Sequence, residues 1–161
     1  MSTAEIERPA RPAEFTELGG CSNEELKALA GQWGGLNSLG AERSLITALT
    51  SANERGGLAI AMESQYATVG LMVLEEDASR NIDGMNVVYF GVDEDYSQRV
   101  GDMGLSFGFS QLLRQVVAER NAGIIVAHRA GGGRGEESLM FFEGIGFKLG
   151  PVNGWLSFEA E

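Results

Sequence analysis

Few of the 161 side chains are placed to do chemistry. His128 is the sole histidine, and imidazole is the side chain best suited to take or give a proton near pH 7. It closes the apolar run Ile124-Ile125-Val126-Ala127-His128, so a structural strand-end role stands beside that of a base. Tyr89, inside Val87-Val88-Tyr89-Phe90, can supply a hydroxyl or simply pack in a core. Asp93, Glu94 and Asp95 follow, and one of them could accept a proton through water or attract a cationic amine. A solvated loop is the plainer reading of that acidic run, and Tyr96 suits fixing the loop better than reacting. Gly131-Gly132-Gly133-Arg134-Gly135 has the composition of an anion-binding stretch, with Arg134 its cation, and equally that of a surface loop. Trp33 and Trp155 could line a pocket or belong to the core.

A second kind of chemistry comes from the backbone. Leu105, Phe109, Leu112, Leu113 and Val116 recur at helical spacing, with Ser106, Ser110, Gln111, Arg114, Gln115 and Glu119 on the other face. Asp102 is placed to cap that helix and Gly123 to end it. The loop Gln98-Arg99-Val100-Gly101-Asp102-Met103-Gly104 therefore feeds a helix start. Free N–H groups and the positive end of the helix dipole converge there, and such a place can hold an anion. The same loop could serve only to begin a helix.

Composition removes several alternatives. Lys and Arg number 12 against 23 Asp and Glu, a formal charge of −11. That speaks against nucleic acid, whose phosphates need a basic surface, and against anionic membranes. Cys21 is the single cysteine, so there is no intrachain disulfide and no cysteine cluster for zinc. No metal-ligand constellation, Ser-His-Asp set or P-loop is found. The first residues, MSTAEIERPARPAE, lack the apolar core of a secretion signal, and no apolar run approaches the roughly 20 residues of a membrane span. A cytoplasmic protein is expected.

The elements that must position these residues can be read in order. Residues 1–13 are expected to be an extended lead-in, with a short strand near Ile6, and residues 14–161 one domain. Ser22 or Asn23 caps a helix through NEELKALA, with Leu26 and Leu29 inward. A second helix from about Ala41 to Asn53 places Leu45, Ile46 and Leu49 on one side, and Arg55-Gly56-Gly57 breaks it. LAIAME and YATVGLMVLEE form a hairpin about Ser64-Gln65. The strand at Val87, the long helix and the strand IIVAH come next. A helix from about Glu136 to Glu143 follows, then two strands paired across Pro151-Val152-Asn153-Gly154. Helices between the later strands require a crossover, so the class is α+β or α/β with a mixed sheet.

Three segments in this order resemble the GNAT superfamily of acyl-CoA-dependent N-acyltransferases. They are the hairpin LAIAMESQYATVGLMVLEE, the strand-loop-helix from Val92-Asp93-Glu94-Asp95-Tyr96 onward, and ESLMFFEGIGFKL. The resemblance covers residues 58–149 well and the first 57 only by order of elements. It implies a sheet of about six to seven strands, splayed between two parallel strands, with helices on both faces. It implies acetyl-CoA or another acyl-CoA as co-substrate and a small-molecule or protein amine as acceptor, with a homodimer as an option. The backbone of Val92, Asp93 and Glu94 would hold the pantetheine arm. Gln98, Arg99, Gly101, Gly104 and Leu105 would hold the pyrophosphate.

The departures from the family pattern are specific. Glu94 stands where a proline is usual, and the pyrophosphate loop is stretched, with Asp102 inside it. The late tyrosine that protonates the departing thiolate aligns with Phe142, and an earlier asparagine aligns with Gly135. The glutamate that acts as base in some members aligns with Asn86, which can only position a water. His128, Tyr89 and Asn86 are the candidates left for catalysis. An N-acyltransferase is the leading expectation. A catalytically silent binding module of the same fold is the alternative, with an interaction subunit using its acidic face a third.

Overall fold

The computed structural model describes residues 11–12, 16–38, 44–64, 67–76, 84–96, 103–120, 124–128, 135–149 and 155–159. The first helix, α1 (Asn23–Trp33), begins at a reciprocal cap. Ser22 Oγ accepts the Glu25 N–H at 3.2 Å, and the Glu25 carboxylate accepts the Ser22 N–H at 3.3 Å. The next helix, α2 (Leu45–Glu54), starts behind Ser44, whose Oγ accepts the Thr47 N–H at 3.3 Å. Its start is later than the expected Ala41, and residues 41–43 lie outside the described residues. Ala48, Leu49 and Ala52 are buried and Leu45 is half-buried, whereas Ile46 is 38% exposed. The expected inner face was therefore wrong at one residue. Residues 45, 48, 49 and 52 make the i, i+3, i+4, i+7 stripe, and Ile46 lies one step of about 100° beyond it.

The expected break after α2 is present. Arg55 N–H donates to the carbonyls of Ser51 and Ala52, and Gly56 takes a positive φ of 65°. Gly57 then passes under the sheet so closely that a Cβ there would lie 2.2 Å from the Leu74 carbonyl oxygen.

Among the described residues nine strands form one mixed sheet. They are β1 (Arg11–Pro12), β2 (Thr16–Glu17), β3 (Asn37–Ser38), β4 (Leu58–Ser64), β5 (Ala67–Glu76), β6 (Gly84–Val92), β7 (Ile124–His128), β8 (Lys148–Leu149) and β9 (Trp155–Glu159). The main path runs β1-β4-β5-β6-β7-β9-β8, with β2 also on β4 and β3 also on β6. The expected hairpin is β4–β5, and the late pair is β8–β9. Arg11 and Pro12 pair with Glu63 and Met62, so the end of the lead-in is part of the sheet. Ile6 and the turn 151–154 lie outside the described residues.

Among the described strands only β6 and β7 run parallel, and α3 (Met103–Arg120) connects them. The last helix, α4 (Gly135–Ile145), connects β7 to β8. Period-2 alternation in the strands divides the core into two layers. Ile60, Met62, Met72, Leu74 and Phe90 face α3 and α4, where they meet Phe109, Leu113, Phe141 and Phe142. Ala59, Ala61, Leu71, Val73 and Tyr89 face α1 and α2, where they meet Leu26, Trp33, Leu49 and Ala52. The sheet is covered on both faces, as the sequence led us to expect.

Candidate active site

The site is built where β6 and β7 part. Their parallel pairing covers Gly84↔Ile124, Met85↔Ile125 and Asn86↔Val126 and then stops, although β6 runs on to Val92. The parallel neighbours that the resemblance implies are therefore present. The paired portion is the start of β6, and Val87–Val92 is the arm that diverges. The divergence coincides with a bulge: Val73 faces Tyr89 while the next residue, Leu74, faces Val87, leaving Val88 as the extra residue. A bulge bends its strand and raises the local twist, which carries the upper half of β6 away from β7.

Backbone direction in the wedge follows from one hydrogen bond. Asp93 N–H donates to Val69 O at 2.9 Å, toward β5. Strand alternation then turns the N–H and C=O of Val92 and Phe90 toward the opposite edge. At Val92 that edge is met by β3, through the pairs Asn37↔Val92 and Ser38↔Gly91. Phe90 lies between β3 and the start of β7, so its amide faces the wedge. Of the three residues expected to hold a pantetheine arm, Asp93 has its N–H committed elsewhere and Val92 faces a strand of the chain itself.

The start of α3 lies at the same height. Gly70 is the register partner of Val92, and a Cβ at Gly70 would touch the Phe109 ring at 3.0 Å and Leu105 at 3.3 Å. The first turns of α3 therefore rest on the sheet beside the far end of β6. Gly104 is the second residue of that helix. Leu105 is fully buried in the core, so its side chain is spent on packing. Gln98, Arg99 and Gly101, with Asp102, lie outside the described residues, as does Gly131–Arg134.

The acidic run after β6 resolves into different roles. The Asp93 carboxylate accepts the Tyr96 N–H at 3.0 Å and so caps the start of the helical residues 94–96. Glu94 and Asp95 are exposed, and Tyr96 is buried in the core, as suits a residue that fixes the loop. Phe142 is fully buried, with ring centroids 5.1 Å from Phe90 and 5.0 Å from Phe147. Gly135 begins α4.

Three polar residues lie along the strands on the α1/α2 face. Tyr89 is buried there, and burial raises its phenol above the ordinary value of 10.0, which keeps it protonated at neutral pH. Asn86, at the apex of the wedge, is flanked by Val126 on one side and Glu75 on the other. Glu75 was not anticipated. It is 5% exposed, and its carboxylate accepts a hydrogen bond from Ser51 Oγ of α2 at 2.5 Å. A signal was available: Leu71, Val73 and Glu75 share one face by alternation, so the last of an apolar series is a carboxylate.

The other candidates separate. His128 ends β7 opposite Trp155, beyond the last residue paired with β6. Trp33 is buried among the residues packed by α1 and α2, and its indole N–H is the one buried side-chain donor without a hydrogen-bond partner among the described residues. Cys21 donates from Sγ to the Glu17 carbonyl at 3.6 Å. Burial, and then the Glu25 carboxylate, raise its pKa, so it stays a thiol rather than a nucleophilic thiolate. Among the described residues no cluster of His, Cys, Asp and Glu could hold a metal, and no helix is long and apolar enough to cross a membrane.

No protein-family model and no curated protein matches this sequence. Solved structures do. The GNAT domain of S. lividans PAT superposes with a TM-score of 0.63 at 11% identity, covering 99% of each chain. The ribosomal-protein-S18-alanine N-acetyltransferase of Escherichia coli gives 0.58 at 14% identity, covering 91% of this chain and 92% of the other. The ribosomal-protein-S5-alanine acetyltransferase of Vibrio fischeri gives 0.58 at 12% identity over 98% of both chains. This protein has the GNAT fold, in a form divergent in sequence.

Proposed function

We propose that the protein is an acyl-CoA-dependent N-acyltransferase that moves an acetyl or short acyl group to an amine by direct attack. The observation that carries this reading is the wedge. Parallel pairing ends at Asn86↔Val126, a bulge bends β6 away, and the start of α3 rests beside the far end of the same strand. A thioester seated in the wedge would have its carbonyl within reach of a backbone donor, the Phe90 N–H, which suits a developing oxyanion. Its phosphates would approach the N–H groups of the first turn of α3, where Gly104 adds no side chain.

The reaction makes one C–N bond and breaks one C–S bond, releasing CoA. The attacking amine must lose a proton and the departing thiolate must gain one. Glu75, through Asn86 and an intervening water, is the carboxylate on the α1/α2 face best placed to receive the first. Tyr89, protonated at neutral pH, is suited to supply the second. His128 stays a candidate for either step, from the end of β7.

The alternative reading is a silent binding module of the same fold, and one observation favours it. The position aligned with the family's tyrosine holds a phenylalanine that is fully buried among other rings. Two measurements separate the readings. Acetyl-CoA at about 100 times its Kd should stabilise the fold by roughly 2.7 kcal/mol, on the order of 5 to 10 °C in midpoint. Release of free thiol should then follow addition of one member of a panel of amino acids, polyamines and peptides. Binding without thiol release would favour the silent module, and no midpoint shift with any acyl-CoA would exclude the enzyme.

A further inference from the structure

The edge of β6 on which this reading places the pantetheine arm is already taken. Asn37 and Ser38 pair antiparallel with Val92 and Gly91 on the side of β6 away from β5. One strand edge presents one set of hydrogen-bonding groups, so β3 and an extended ligand cannot both occupy Gly91–Val92. We propose that β3 is a displaceable strand that closes this edge in the free protein and leaves it when acyl-CoA binds. The proposal rests on the acyltransferase reading and adds a conformational step to it.

Three features fit a strand built to leave. Among the described residues its ladder is two residues long, whereas β5 pairs with β6 along seven register partners, so removing β3 leaves the sheet intact. It is joined to α1 through Gly34 and Gly35, both exposed, and a Cβ at Gly35 would meet nothing within 4 Å. The same segment includes Leu36, which packs against the cluster that buries Trp33. The Trp33 indole N–H has no partner there among the described residues. Loosening this packing would return a donor to water, so uncovering Trp33 costs less than uncovering a wholly apolar ring.

The test follows hydrogen exchange in the full chain with and without saturating acetyl-CoA. Peptides covering residues 34–38 should lose protection while those covering 84–92 keep or gain it. Retained protection over 34–38, with acetyl-CoA demonstrably bound, would overturn the proposal. Asn37→Pro provides a second arm. Alternation assigns the Asn37 N–H to the Val92 carbonyl, and proline has none to offer. If β3 is docked in about nine molecules of ten, acetyl-CoA should bind this variant about tenfold more tightly. Unchanged or weaker binding by a folded variant would count against displacement, and exchange on the natural sequence decides if the variant does not fold. Should acetyl-CoA stabilise neither protein, the acyltransferase reading itself fails. Should it bind without uncovering β3, that reading stands and only this step falls.

Discussion

Glu75 on β5 stands opposite Asn86 on β6, and Ser51 on α2 holds its carboxylate from above. It is the only buried carboxylate among the described residues. Burying a carboxyl group is costly, and such groups cluster at functional sites. On the acyltransferase reading proposed above, the task of Glu75 is proton acceptance.

Glu75→Gln tests it directly. The amide keeps an oxygen for the Ser51 hydroxyl, so stability should change by less than about 1 kcal/mol. Thiol release should fall by about 10²- to 10⁴-fold. Ser51→Ala should act in the opposite way, weakening the fold by about 1–3 kcal/mol through loss of the carboxylate's partner. Full activity in Glu75→Gln would leave Glu75 as a packing residue and shift attention to His128.

Gly104 tests the phosphate end. It is the second residue of α3, and on the proposed reading a side chain there would crowd the pyrophosphate. Gly104→Val should abolish CoA binding while changing stability by only about 1 kcal/mol. Asp102→Asn should tighten binding by removing a negative charge from the sequence just before α3. Calorimetric titration with CoA reads both. Unchanged affinity in the two variants would mean that this loop only starts a helix.

The parts of this architecture with strong local patterns were legible in the sequence. Ser22 and Glu25 have the spacing of a capping box, and Leu105 to Val116 carry a full helical stripe. What escaped depends on distant partners. Among the described residues β1, β2 and β3 have two residues each, too few to show a period of two. The point where β6 and β7 part is set by a bulge at Val88, and nothing local distinguishes Val88 from its paired neighbours. Glu75 lies on a readable face, but the Ser51 hydroxyl that meets it comes from 24 residues away.

Gly57 offers a test of the fold that is independent of function. A methyl group there would fall 2.2 Å from the Leu74 carbonyl oxygen and 2.7 Å from the Ala52 Cβ, atoms of the backbone and of a tightly packed helix. Gly57→Ala should therefore cost at least about 1–3 kcal/mol, whereas Gly35→Ala, with open space around it, should be nearly neutral. Urea denaturation of the two variants checks the contrast. Equal midpoints would mean that α2 does not sit on β5 as closely as described.

Tyr89 ties stability to pH and to chemistry. Burial raises its phenol above 10.0, the value it has in the unfolded chain. Between the unfolded and folded values the unfolded chain has lost a proton that the folded chain keeps. Stability must then fall as pH rises, because the unfolded state binds fewer protons. This contribution is whole below about pH 10 and is lost as the pH climbs through the folded value. The informative quantity is the difference between the natural protein and Tyr89→Phe, measured by urea denaturation from pH 9 to 11. The natural protein should lose more stability over that interval than the variant. At neutral pH the variant should bind acetyl-CoA normally, yet release thiol about 10²-fold more slowly if the phenol returns the proton to the leaving sulfur. Parallel stability curves would show that the phenol is not held in a water-poor site, and an unchanged rate would confine Tyr89 to packing between the sheet and α1 and α2.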